Sequence, residues 1–300
     1  MVVVDLISDI SEFSYGFALT NEIVGWTPLN AAPVFPSLIE EGKQGGGYDL
    51  KLDAPGVALY LQFKRADCMT RASAKEIKKH RLPLVRPFYR FSITERNKSF
   101  QHTSLLTLDT NKNLVFYAAP RFHLISEINE AWHAKDIAAR SIFVRPRSIG
   151  LIADDARHHV AYDSDRAFFC SEPREIEPES AASLYKMITD RVKDDPRPIR
   201  ERLPEWLLDI RVRREEARRN QEFVEMIVDG LRADRKLAVP YYRQFYRRWR
   251  DTDIPPSPAG PAPDVKAPKE LSIEQRMLRE IAEEALYGFG AQLFVLQPSD

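Results

Sequence analysis

The chain reads as an α/β protein: a mixed sheet flanked by helices, with a mainly helical C-terminal half. Three observations predict this. Residues 10–24 carry apolar side chains at near-helical spacing. Residues 57–65 alternate in the manner of a strand, and residues 114–119 (Leu-Val-Phe-Tyr-Ala-Ala) form the most apolar run, as a buried strand does. From residue 179 onward, long charged segments with apolar stripes at helical spacing dominate.

The first helix spans residues 10–24, with Ile10, Phe13, Phe17 and Val24 as its inward stripe. Ser8 or Asp9 caps its start, and Glu12, three residues after Asp9, fits a capping box. Glu22 lies one turn from Ala18, at the edge of the stripe. Residues 27–36 are Pro-rich and irregular, and residues 35–39 read as a short edge strand or a turn. Three successive glycines, Gly45 to Gly47, lead into the next element. No Gly-Lys-Ser/Thr follows at the spacing of a phosphate-binding loop.

Residues 48–53 and 57–65 read as a β-hairpin turning at Ala54-Pro55-Gly56. In that register Asp49 lies opposite Gln62. Tyr48, Leu50, Leu52, Leu59, Leu61 and Phe63 share one face; Asp49, Lys51, Asp53, Tyr60, Gln62 and Lys64 share the other. The polar face offers a hard divalent cation oxygen ligands: the Asp49 carboxylate, the Gln62 side-chain carbonyl and the main-chain carbonyl of Phe63. Lys64 beside such a cation would orient or deprotonate a water, or stabilise charge developing on a phosphate. A half-exposed hairpin with a merely solvated polar face is the other reading of the same pattern.

Asp49 followed by Gln62-Phe63-Lys64 resembles the motif of the PD-(D/E)XK nuclease superfamily, in the Mrr-like variant with Gln at the acidic position. The resemblance covers roughly residues 10–120. It implies a restriction-endonuclease-like core and hydrolysis of phosphodiester bonds, most readily in DNA, with magnesium or manganese as cofactor. It also implies a glutamate on the helix preceding the hairpin, and Glu22 stands there. The implied catalytic set is Glu22, Asp49, Gln62 and Lys64, with Glu22, Asp49, Gln62 and the Phe63 carbonyl as metal ligands. The implied biology is restriction or antiphage defence. Gln62 departs from the acidic form of the motif, leaving two carboxylates and an amide. That departure keeps a rival in view: a non-catalytic module on the same fold, binding nucleic acid or a protein.

After the hairpin, residues 71–81 are basic and read as a helix or loop, and residues 88–94 as a strand. Residues 99–108 form a helix whose polar start carries Gln101 and His102, both candidates for contacting nucleic acid. Residues 124–134 are helical; residues 141–144, 148–152, 158–162 and 167–170 read as short strands. Asp154-Asp155 near His158-His159 has no third metal partner and reads as a solvated loop. Residues 179–192 and 204–237 are charged helices. In residues 241–250 aromatics alternate with Arg243, Arg247 and Arg250, further nucleic-acid candidates against the plainer reading of a packed helix. Residues 271–287 form a helix capped by Ser272, and residues 291–296 a last strand that returns to the main sheet or meets a second chain.

These segments divide the chain into a nuclease-like α/β domain (1–175), a charged helical region (176–250), a Pro-rich linker (251–270) and a C-terminal helix and strand (271–300). Acidic and basic residues balance at 44 each, so any DNA-binding charge must be local. No run approaches the roughly 18 apolar residues of a membrane span. The N-terminus lacks the basic start of a signal peptide, and Cys68 and Cys170 match no zinc spacing, which suits reduced thiols in a cytoplasmic protein. The reading is compatible with a homo-oligomer or an activating partner protein.

Overall fold

A computed structural model describes residues 7–26, 52–233 and 272–298. In chain order its first elements are α1 (Glu12–Val24), β1 (Val57–Phe63), β2 (Asp67–Met69), α2 (Lys75–Lys78), β3 (Phe88–Ile93), α3 (Gln101–Leu108) and β4 (Leu114–Pro120). Then come α4 (Ile125–Ala134), β5 (Ser141–Val144), α5 (Pro146–Ile149), β6 (His158–Tyr162), β7 (Ala167–Phe169) and β8 (Arg174–Ile176). The last are α6 (Ala181–Asp194), α7 (Ile199–Ala233), α8 (Ile273–Glu283), a π-helical turn (Glu284–Gly288) and β9 (Gln292–Leu296). The protein is a mixed α/β fold. Among the described residues, no helix is long and apolar enough to cross a membrane.

The first sheet has the order β5-β4-β1-β9. β1 runs parallel to β4, with α3 in the crossover between them, and antiparallel to β9. The second sheet, β2-β3-β6-β7-β8, is antiparallel throughout. One core lies where the two sheets face α3, α7 and α8, and holds Tyr60, Val115, Tyr117, Phe91, Val160 and Tyr162. The other lies under α1 and α6, and holds Tyr15, Leu19, Leu59, Leu61, Phe116 and Leu184.

The first sheet corrects the expected hairpin. Leu52 and Asp53 lie in a turn, and residues 48–51 fall outside the described residues. Along Leu59 to Leu61 both edges of β1 are taken, one by β4 and the other by β9. The cause is apolar burial on both faces. β1 is not half-exposed: Leu59 and Leu61 face α1, and Tyr60 faces the opposite core. β9 meets that demand with Phe294 and Leu296, both buried, where the alternating polar side chains of residues 49–53 would not.

The phase of α1 also differs from expectation. Its buried stripe is Tyr15, Ala18, Leu19 and Ile23, spaced by three and four. Phe13 is 84% exposed and Phe17 58% exposed, with Phe17 stacked on Trp132 of α4. The Tyr15 hydroxyl fixes this phase by donating to Ser141 Oγ at 2.9 Å, inside the core. The cap is Ser11, whose hydroxyl accepts from Ser14 N. Residues 148–152 form no strand: Pro146 opens the short α5, as its fixed φ favours, and Gly150 ends it.

Once β8 has closed the second sheet, α6, α7, α8 and the π-helical turn make the rest of the described chain mainly helical, and β9 ends it as a strand of the first sheet. The segment 272–298 is bound into the molecule. α8 begins with the expected capping box between Ser272 and Gln275. Arg211 and Arg214 of α7 pair with Glu280 and Glu284, and Gln297 Nε2 donates to Pro55 O at 3.1 Å. The basic-aromatic segment 241–250 and the linker 251–270 lie outside the described residues.

The revised phase of α1 sets two substitutions apart. Leu19→Ala should cost about 2–5 kcal/mol, because Leu19 is fully buried. Phe13→Ala should change stability by less than about 0.5 kcal/mol. Urea denaturation of both variants measures the difference; equal losses would overturn the assignment of the buried face.

Candidate functional site

The parallel pairing of β1 and β4 brings their C-terminal ends to one edge of the sheet. In open α/β sheets that edge is where ligands bind. Lys64 N donates to Ala118 O at 2.8 Å and carries the pairing one residue past β1. Strand alternation places Tyr60, Gln62 and Lys64 on one face, and the N-terminal end of α3 lies against it.

A chain of hydrogen bonds joins these elements. Gln101 Nε2 donates to Gln62 Oε1 at 2.9 Å, and Lys64 Nζ donates to Gln101 Oε1 at 3.4 Å. Gln62 Nε2 donates to Phe63 O at 3.0 Å. Gln101 is held in turn by Ser99 Oγ, which accepts from Gln101 N at 3.2 Å. The C-terminal segment closes on the same side chain. Gly290 has φ +67°, a conformation that favours glycine, and a Cβ there would press on Gln101 Nε2 and displace the end of that side chain.

Lys64 is only 5% exposed, and among the described residues it makes no ion pair. Its ammonium lies 5.6 Å from the centre of the Tyr117 ring. Burial pulls its pKa below the usual lysine value, and the charge of Glu12 opposes that shift. A buried amine with a lowered pKa at the carboxyl edge of parallel strands is a functional-site candidate on physical grounds.

Glu12 is the acid that sequence reasoning passed over, having treated it as part of a cap. It is exposed at the first turn of α1. The signal that places it is Gly16. A Cβ at Gly16 would come within 2.6 Å of the Phe63 ring, so this half of α1 sits directly on the end of β1. Glu22 lies ten residues further along the same helix, about 15 Å at 1.5 Å per residue. It lines a cavity with Trp26 and Tyr185 instead. Asp49, Arg243, Arg247 and Arg250 lie outside the described residues.

The donor chemistry near Lys64 is oxygen, which suits a hard cation. Gln62 Oε1 and Phe63 O each accept one N–H, and a carbonyl oxygen keeps a second lone pair. Among the described residues no group of three or more His, Cys, Asp or Glu side chains gathers for a metal.

His102 has a different place from the one expected. It is buried, with Nε2 at 2.8 Å from Gly150 O and Nδ1 at 2.9 Å from the Tyr117 hydroxyl. A carbonyl only accepts, so Nε2 carries the proton and Nδ1 accepts from Tyr117. His102 thus anchors Tyr117, whose ring lies under Lys64. His158 is likewise buried rather than in a solvated loop, between Asp154 Oδ1 at 2.5 Å and Ser171 Oγ at 2.6 Å.

Burial holds the pKa of His102 below 6.5, and that of His159, which meets Ser92 Oγ, down at about 4. The folded state keeps both imidazoles neutral where the unfolded chain takes up protons. Stability conferred by them is complete above the unfolded value of 6.5 and is lost as pH falls below it. Their contribution should fall by at most about 1.4 kcal/mol per pH unit for each proton. His102→Gln should flatten the decline in urea stability between pH 7.5 and 5. An unchanged slope would mean that His102 is already protonated in the fold.

No protein-family model, curated protein or solved structure matches the chain.

Proposed function

We propose that the chain is a metal-dependent nuclease of the restriction-endonuclease-like type. It would hydrolyse phosphodiester bonds, most readily in DNA, at the carboxyl end of β1. One observation carries the reading: Lys64 is buried, joined through Gln101 to Gln62, and held with a lowered pKa. Its ammonium, with no ion pair among the described residues, is an anion receptor facing the edge of the sheet. In its neutral fraction it is a base for an attacking water. Gln101 keeps Lys64 and Gln62 in one orientation. A bound magnesium or manganese would supply Lewis-acid stabilisation of the phosphate and a more acidic water. Glu12 enters the proposed ligand set beside Asp49, Gln62 and the Phe63 carbonyl. Restriction or antiphage defence is the corresponding biological role.

One observation favours the rival binding module. Both ends of the Gln62 amide are satisfied by protein partners, Gln101 and Phe63. A site that had lost its metal would be expected to close in this way.

Cleavage of plasmid and linear DNA with magnesium or manganese separates the two. Wild type should cut only with metal, and Lys64→Ala should lose at least about 100-fold in rate, in the range of a lost acid–base group. If Lys64 acts as the base, the rate should rise with pH through a limb below 10.5, and Lys64→Arg should abolish that limb. Metal-independent binding of DNA without cleavage, unaltered in Lys64→Ala and Glu12→Gln, would overturn the nuclease reading.

A further inference from the structure

The C-terminal end of α1 borders a cavity of about 460 Å³. Its walls come from Glu22, Gly25 and Trp26, from Ala138 and Ala139 before β5, and from the first turns of α6 with Tyr185. The alanines leave room, and the volume falls in the range of small-molecule sites, roughly 300–1,000 Å³. Trp26 and Tyr185 meet edge to face, with ring centres 5.6 Å apart. Glu22 is half-buried as a whole, but its Oε2 is shielded from solvent and has no hydrogen-bond partner among the described residues.

A shielded carboxylate oxygen left without a donor is costly. The missing complement is therefore a donor, and the surroundings decide which kind. Two aromatic rings favour a cation over a neutral group, through the negative faces of their π-systems. The helix ends offer no counter-argument: the negative end of α1 and the positive end of α6 both reach the cavity, and their fields oppose.

We infer that this cavity is a binding site for a small organic cation bearing N–H donors, a guanidinium or a primary ammonium, with Glu22 as its anionic contact and Trp26 and Tyr185 as its aromatic walls. The site is separate from the edge of β1. Glu22 stands ten residues from Glu12 on α1, so the inference survives if the nuclease reading fails.

The test is calorimetric titration of the full chain with methylguanidinium and with methylurea, a neutral molecule of nearly the same shape. Methylguanidinium should bind saturably in the millimolar range, about 3–4 kcal/mol of binding free energy. Methylurea should bind at least about tenfold more weakly, the factor that corresponds to 1.4 kcal/mol. Glu22→Gln should remove that preference, and Tyr185→Leu should weaken methylguanidinium several-fold. Should Glu22→Gln fail to fold, Tyr185→Leu and the methylurea comparison still decide. A capped arginine, added as a further titrant, distinguishes the sources: tighter binding than methylguanidinium assigns the cation to a polypeptide side chain, weaker binding to a free small molecule. Absence of saturable binding, or equal affinity for methylguanidinium and methylurea, overturns the inference.

Discussion

β1 is hydrogen-bonded on both edges and buried on both faces, and the arrangement of the molecule follows from satisfying it. Its main-chain groups need partners on two sides, because an unpaired buried amide or carbonyl is costly. β4 provides one partner through a helical crossover, and β9 provides the other from the far end of the chain. Its side chains need two apolar layers. α1 and α6 cover Leu59 and Leu61, while α3 and α7 help enclose Tyr60. The strand's last residues emerge where these layers end. There the same alternation that buries Tyr60 presents Gln62 and Lys64 to the start of α3.

The requirement for β9 links the C-terminal segment to the candidate site. Gly290, two residues before β9 begins, packs its backbone on Gln101, and Phe294 meets Phe63 edge to face with ring centres 6.4 Å apart. Arg214 Nη1 donates to Gly288 O at 2.8 Å and ties the turn to α7. Residues 272–298 therefore do two things in one geometry. They complete the sheet, and they limit the positions open to the amide that joins Lys64 to Gln62.

Much of this was legible in the sequence wherever apolar side chains alone decide. The all-buried run of β4, the strands β3, β6 and β7, helices α3, α4 and α6, and the capped α8 fall where periodicity places them. The errors have common physical causes. The hairpin reading counted Pro55-Gly56 as a turn and took the nearest strand-like segment as the partner, whereas the edge of β1 went to the segment with better-matched apolar faces, more than two hundred residues away. The phase of α1 was misjudged because Phe13 and Phe17 are large and apolar, yet the buried stripe is set by Tyr15, Leu19 and Ile23, and by the close approach at Gly16. Pairing between distant segments leaves no local trace, and a helix with apolar residues on several sides has no unique phase.

The same constraint separates the two regions for which a function is proposed. α1 lies across the sheet, so its ends reach different surroundings about 15 Å apart. At its first turn the helix meets the carboxyl end of β1, where Lys64 is desolvated and Glu12 stays in solvent. At its last turn the helix meets α6 and the loop before β5, and the Glu22 oxygen is cut off from water among small and aromatic side chains. A carboxylate oxygen shielded from water is held in a lower local dielectric than one in solvent, which strengthens its interaction with a donor. Two glutamates of one helix thus differ in chemistry through exposure alone, and the difference follows from which end of the helix the sheet leaves open.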